Sequence, residues 1–107
     1  MSEASEVKRD GSKATKNSGR GQLQKGDAYL DIFTVDYKEY KKSFGLSKDV
    51  WAKVCTDAFR NAQSEPALKI ILGEGNGKVR LWVVAEHILE DYIRLRKAEE
   101  DALNQER

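Results

Sequence analysis

The sequence predicts an α/β domain built on one mixed sheet. Two hydrophobic periods and a set of chain breaks carry that reading. Period-two alternation falls in Phe33–Lys38 and Val79–Ala85, and apolar spacing of three to four falls between Val50 and Ala62 and again between Ile88 and Leu95. Pro66 and the Gly73–Gly77 cluster separate these stretches, giving the order β-β-α-β-β-α. At 107 residues, 39% hydrophobic and 35% charged, the chain has material for one small core under a solvated surface and none for a second domain.

Ala28–Leu30 and Phe33–Lys38 read as paired strands, rich in Tyr, Phe, Thr and Val. Lys41–Leu46 connects them to a helix that Ser47 caps, with Asp49 in its first turn. Val50, Trp51, Val54, Cys55, Ala58, Phe59 and Ala62 form its apolar stripe. Leu68–Leu72 is an apolar strand interrupted by Lys69, and Gly73–Gly77 turns it into Val79–Ala85. There Val79, Leu81 and Val83 share one face, with Arg80, Trp82 and Val84 on the other. The last helix starts near Glu86, with Ile88, Leu89, Tyr92 and Leu95 as its expected core face.

Charge is unevenly spread. Residues 1–26 hold six Lys/Arg against three Asp/Glu, with four Gly and four Ser, and read as a flexible basic arm ahead of a single domain at 27–107. Such an arm is either a solvated tail or a segment that touches nucleic acid. One cysteine excludes an internal disulfide and a multi-Cys zinc site, and one histidine excludes any mechanism needing two. No apolar run is long enough for a membrane span and no secretory signal opens the chain, so a cytoplasmic protein without membrane partners is expected.

The candidate chemistry lies on the first two strands. Asp36 and Lys38, two apart, share a face, while Val35 and Tyr37 point the other way, into the core. If the hairpin turns at Asp31-Ile32, Leu30 faces Phe33, Tyr29 faces Thr34 and Asp27 faces Asp36. Opposed carboxylates repel, and a divalent cation relieves the repulsion; oxygen ligands of this kind suit Mg²⁺. Lys38 beside them is placed to orient a water and to stabilise charge growing on a phosphate. The same residues also suit a merely solvated strand face.

Gly26-Asp27, a strand-length gap and Asp36-Tyr37-Lys38 together resemble the PD-(D/E)XK nuclease signature. The order of features is most similar to the small Holliday junction resolvases of archaeal type and their phage relatives. Ser18-Gly19-Arg20-Gly21 precedes the first acid, Lys41, Lys42 and Ser43 follow the lysine, the helix comes next, and Glu65-Pro66-Ala67 leads into a strand and a hairpin containing Trp82. The resemblance covers roughly residues 16–93 and implies a restriction-endonuclease-like core, a mixed sheet flanked by helices.

It implies a DNA endonuclease that uses Mg²⁺ or Mn²⁺ to cut branched four-way junctions, acting as a homodimer because a junction is two-fold symmetric. The last helix and Trp82 are candidate contributors to that dimer. The compartment is then the cytoplasm, a host's if the chain is phage-encoded. Asp27, Asp36 and Lys38 are the implied catalytic residues, with the Tyr37 backbone carbonyl as a further metal ligand. Lys16, Ser18, Arg20, Lys25, Lys41, Lys42 and Ser43 are the implied DNA-binding residues. Gly26 stands where the family has proline, and Asp36 where glutamate is commoner. The family's N-terminal helix, which supplies another Glu, is not evident; Glu3 and Glu6 are the only candidates. Lys48, Lys53 or neither reaches the site from the helix after the lysine. The same catalytic core also serves nucleases acting on nicked, mismatched or foreign DNA. A non-catalytic DNA-binding module is the reading from another class.

Three other signals are set aside. The Gly73–Lys78 run leads into a strand, which a phosphate loop does not. Cys55 lies on an apolar stripe and reads as packing. His87 reads as a cap or surface residue.

Overall fold

The computed structural model describes residues 3–16, 23–61 and 64–105; for residues 3, 14–16 and 23–27 the backbone path alone is described. Among the described residues the chain is an α/β protein with one mixed five-stranded sheet and three α-helices. In chain order these are α1 (Glu3–Asp10), β1 (Lys13–Lys16), β2 (Leu23–Leu30), β3 (Phe33–Tyr40), α2 (Lys48–Arg60), β4 (Glu65–Leu72), β5 (Val79–Val84) and α3 (Glu86–Gln105). The strands lie side by side in sequence order, β3 and β4 parallel and every other neighbouring pair antiparallel. A parallel pair needs a crossover, and α2 supplies it.

Alternation sets both faces of the sheet. Val35 and Tyr37 join Ala28, Ala67 and Ile71 in one buried cluster, against which Val7 of α1 packs. The other face carries Leu68 and Ile70, roofed by Val54, Val50 and Trp51 of α2. Ser47 caps α2 as its sequence requires, its hydroxyl accepting from the Val50 N–H at 3.2 Å.

The hairpin between β2 and β3 closes at Asp31-Ile32 with Leu30 opposite Phe33, Tyr29 opposite Thr34 and Asp27 opposite Asp36. The turn holds Asp31 at a φ of 54°. A side chain there crowds the backbone, and glycine does not. Asp31→Gly is expected to raise stability by about 0.5–1 kcal/mol. The check is urea unfolding, with a higher midpoint and an unchanged slope.

Three expectations are corrected. Residues 1–26, expected to be a flexible arm, contain α1 and β1, and β2 begins at Leu23, so the fold starts well before Asp27. The Glu3–Asp10 segment has one large apolar residue, Val7, and tertiary ion pairs supply what amphipathic spacing does not. Asp36 does not face out of the core: α2 covers its side of the sheet and leaves the residue 5% exposed. The expected core face of α3 is not buried. Leu89, Tyr92 and Leu95 are exposed, because the helix leaves the edge strand β5 after Ala85 and none of the described elements packs over it. Trp82, on the same edge strand, is also partly exposed. No helix among the described residues is long and apolar enough to cross a membrane.

Candidate active site

Asp36 and Lys38 project from β3 toward α2. The Lys38 ammonium stands 3.4 Å from Asp36 Oδ1 in an ion pair. That oxygen is fully buried and accepts no hydrogen bond among the described residues. Burial pushes the Asp36 carboxyl up from its ordinary pKa; Lys38 and Lys53 pull it back in part, and Asp57 adds to the rise. The site therefore holds a carboxylate taken from water with less compensation than burial asks for.

Beside this pair is a cavity of about 270 Å³ lined by Asp36, Lys38, Phe44, Asp49, Val50 and Lys53. Lys53 thus reaches the site from α2, whereas Lys48 is exposed at the helix start. The sequence reading missed Asp49 and Asp57. Their signal was available: Asp49, Lys53 and Asp57 follow one another at i, i+4, i+8, a polar stripe beside the apolar Val50, Val54 and Ala58.

Asp27 lies directly across the ladder from Asp36; its side chain is outside the described residues. Ser18 and Arg20, and the side chains of Lys16 and Lys25, also lie outside them. Lys41, Lys42 and Ser43 are exposed on the loop that leaves β3, with Lys41 3.4 Å from Glu74. His87 is a surface residue whose Nε2 stands 3.1 Å from Glu65.

The Tyr37 side chain takes the opposite face, where a second set of charges is buried. Glu6, 2% exposed, accepts two hydrogen bonds from Arg80, at 2.9 and 3.2 Å. Its carboxylate also lies 3.6 Å from Lys69 and 3.8 Å from Lys78. Lys69, 1% exposed, donates to Asp10 at 2.6 Å and sits over the rings of Trp82 and Tyr37. Lys78 donates to Glu39 at 2.5 Å. The Tyr37 hydroxyl donates to Asp10 at 3.0 Å, and burial is the largest cause pushing its pKa up to about 12. Arg80 holds the Glu6 carboxyl below its ordinary pKa, against the opposing effect of burial.

The expectation that Glu6 completes the site is therefore corrected. It belongs to α1, beneath which Tyr37, Lys69 and Arg80 project, and alternation along β3 puts Asp36 on the reverse side. The side chain of Glu3, the other candidate, is outside the described residues.

Among the described residues no three His, Cys, Asp or Glu side chains cluster as a ready metal site. A cation at this place would have Asp36, Asp27 level with it on β2, and the Tyr37 carbonyl as its candidate donors. Hard oxygen donors of this kind fit Mg²⁺ or Mn²⁺, and the buried Asp36 Oδ1, ion-paired to Lys38 but accepting no hydrogen bond among the described residues, is the observation that favours the fit. Comparison with protein-family models, curated proteins and solved structures finds no match.

Proposed function

We propose that this chain is a metal-dependent DNA endonuclease acting on branched four-way junctions. The observation that carries the reading is the Asp36–Lys38 ion pair on the lining of a cavity that Lys53 also lines, with Asp27 level with Asp36 across the hairpin. An acid and an ammonium two apart on a strand, next to an open cavity and a second ammonium, suit a phosphodiester better than a neutral substrate. The helix α1 stands ahead of the acid-bearing hairpin, as the resemblance calls for, but its Glu6 faces the reverse side of the sheet.

In this reading Asp27, Asp36 and the Tyr37 carbonyl hold Mg²⁺ or Mn²⁺, which when bound neutralises charge at the phosphate under attack. Lys38, beside Asp36, orients the attacking water and meets the charge that grows on the phosphate oxygens. Lys53 holds a phosphate in the cavity. Exposed Lys41, Lys42 and Ser43 take neighbouring phosphates of the strand. Water adds to phosphorus and the bond to the 3′ oxygen breaks, leaving a 5′-phosphate.

The test incubates the full chain with a four-way junction, nicked duplex, linear duplex and single-stranded DNA, each with Mg²⁺, Mn²⁺ or EDTA. Metal-dependent cutting of the junction is expected. Cutting confined to nicked duplex moves the substrate to the repair class. Binding with no cutting of any form in either metal overturns the enzyme reading.

A further inference from the structure

The row of side chains that Asp36 and Lys38 begin on β3 has a third member. Alternation puts Tyr40 on the same face, two residues beyond Lys38 and about 6.6 Å farther along the strand. Asp36 is 5% exposed, whereas Tyr40 at the strand end is 45% exposed. The Tyr40 ring stacks on Phe44, with centroids 5.4 Å apart and planes 26° from parallel. Phe44 lines the cavity that Asp36, Lys38 and Lys53 also line. Tyr40 lines a second cavity, of about 370 Å³, so the stacked pair links the two.

The walls of the second cavity argue against a simple ion as its occupant. Its two acids are each paired with a lysine, Glu39 with Lys78 at 2.5 Å and Glu74 with Lys41 at 3.4 Å. Charge is balanced there, and a lone phosphate or metal ion would meet as many like charges as opposite ones. Gly73 and Gly75 complete the wall, at φ of 102° and 62°. Glycine adopts that backbone without cost and has no side chain to crowd a ligand. One aromatic ring, carboxylate acceptors, ammonium donors and bare backbone suit a flat, neutral ring with donors and acceptors around its edge. A nucleobase fits that description. Bases splayed out of a strand are held in this way, stacked on an aromatic side chain and hydrogen-bonded at their edges.

We propose, on the basis of the nuclease reading, that this cavity takes one unpaired nucleobase of the strand whose phosphodiester lies at Lys38, with Tyr40 as its stacking platform. A base inside a duplex has both faces covered by its neighbours, so it reaches Tyr40 only by leaving the stack. Unpaired nucleotides do so at least cost. The cavity beside Asp36 takes the phosphate common to all DNA, and the Tyr40 cavity selects the place where the stack is broken.

The experiment titrates the full chain in EDTA with two four-way junctions. One is intact and the other is abasic at the nucleotides beside the branch point, so that phosphates stay and bases go. Parent, Tyr40→Phe and Tyr40→Ala are compared. The parent and Tyr40→Phe are expected to bind the intact junction about tenfold more tightly than the abasic one, the scale of one base stacked on an aromatic side chain. Tyr40→Ala is expected to bind the two junctions alike. Each protein is compared with itself on two DNAs, so a partial loss of fold does not produce that pattern. A parent that binds both junctions equally overturns the inference, as does a Tyr40→Ala protein that keeps the parent's preference. A parallel incubation with Mg²⁺ separates the two readings. Cutting without the preference removes the base cavity and leaves the nuclease; the preference without cutting leaves the cavity and removes the enzyme. No binding to either junction overturns both.

Discussion

An Asp36→Asn protein is expected to fold like the parent and to cut DNA at least a hundredfold more slowly, the scale on which loss of one preorganised electrostatic group acts. Asparagine keeps the shape but has no charge with which to hold a cation. Stability is expected to move the other way. Burial raises the folded-state pKa of Asp36, so at neutral pH its ionised form works against folding. The contribution of this group is most favourable below the unfolded-state pKa and is lost as pH rises through the raised folded value. The parent should therefore gain stability on mild acidification where Asp36→Asn does not, and at neutral pH the variant should melt no lower. Single-turnover cleavage beside thermal unfolding measures both. Parent-like cutting by Asp36→Asn would remove this residue from the site, and a large loss of stability would make its role structural. Lys38→Ala is expected to bind junction DNA within a few-fold of the parent while losing a comparable factor in rate, since its charge is needed most as the phosphate becomes pentacovalent.

Glu6→Gln is expected to destabilise the fold by about 3 kcal/mol at neutral pH, the scale for breaking a buried ion pair from one side. The reason is the company Glu6 keeps: Lys69, Lys78 and Arg80 all converge on its carboxylate. Neutralising it leaves Lys69 with Asp10 and Lys78 with Glu39 but strips Arg80 of the carboxylate it binds through two hydrogen bonds. Against a total stability of order 5–15 kcal/mol, that loss is large enough to read by urea unfolding. Its pH dependence has a definite sign. Arg80 depresses the folded-state pKa of Glu6, so the stabilisation is present above the unfolded-state value and is lost as pH falls through the folded one. The gap between parent and variant should therefore close toward acid pH. A variant with the parent's midpoint at neutral pH would mean that α1 does not depend on these charges.

What the sequence disclosed follows from which interactions are local. The hairpin register was legible because alternation fixes which residues share a face and a two-residue turn fixes which residues oppose. Asp27 is level with Asp36 for that reason. The helix α2 was legible from the Ser47 cap and the apolar stripe after it. The helix α1 was not, because Val7 alone gives no period and the docking charges on Lys69 and Arg80 come from strands far along the chain. Lys69 looked like an interruption in an apolar run, yet a lysine set among Leu68, Ile70 and Ile71 is a sequence signal for a buried partner. The stripe on α3 was read as a core face and is not buried, because a period marks an apolar side and does not say whether anything packs over it. Asp36 was placed on the right side of its strand and wrongly in solvent, because alternation assigns faces and does not count the layers above them.

The parallel register of β3 and β4 has a consequence for the order in which the molecule assembles. Every pair, from Phe33–Glu65 to Tyr40–Leu72, joins residues 32 apart in sequence, so a long loop must close before any of them forms. The β2–β3 hairpin closes over two residues, and hairpins of that kind form in about 1–10 μs. Asp27 and Asp36 can thus come level early, while the cover over Asp36 waits for the parallel pairing. A nascent chain ending before β4 would hold Lys38 and every residue that lines the cavity beside Asp36, but not Leu68 and Ile70, on which α2 is seated. The seat of α2 arrives only with β4, so the lasting burial of Asp36 beneath that helix belongs to the slow parallel pairing and not to the hairpin.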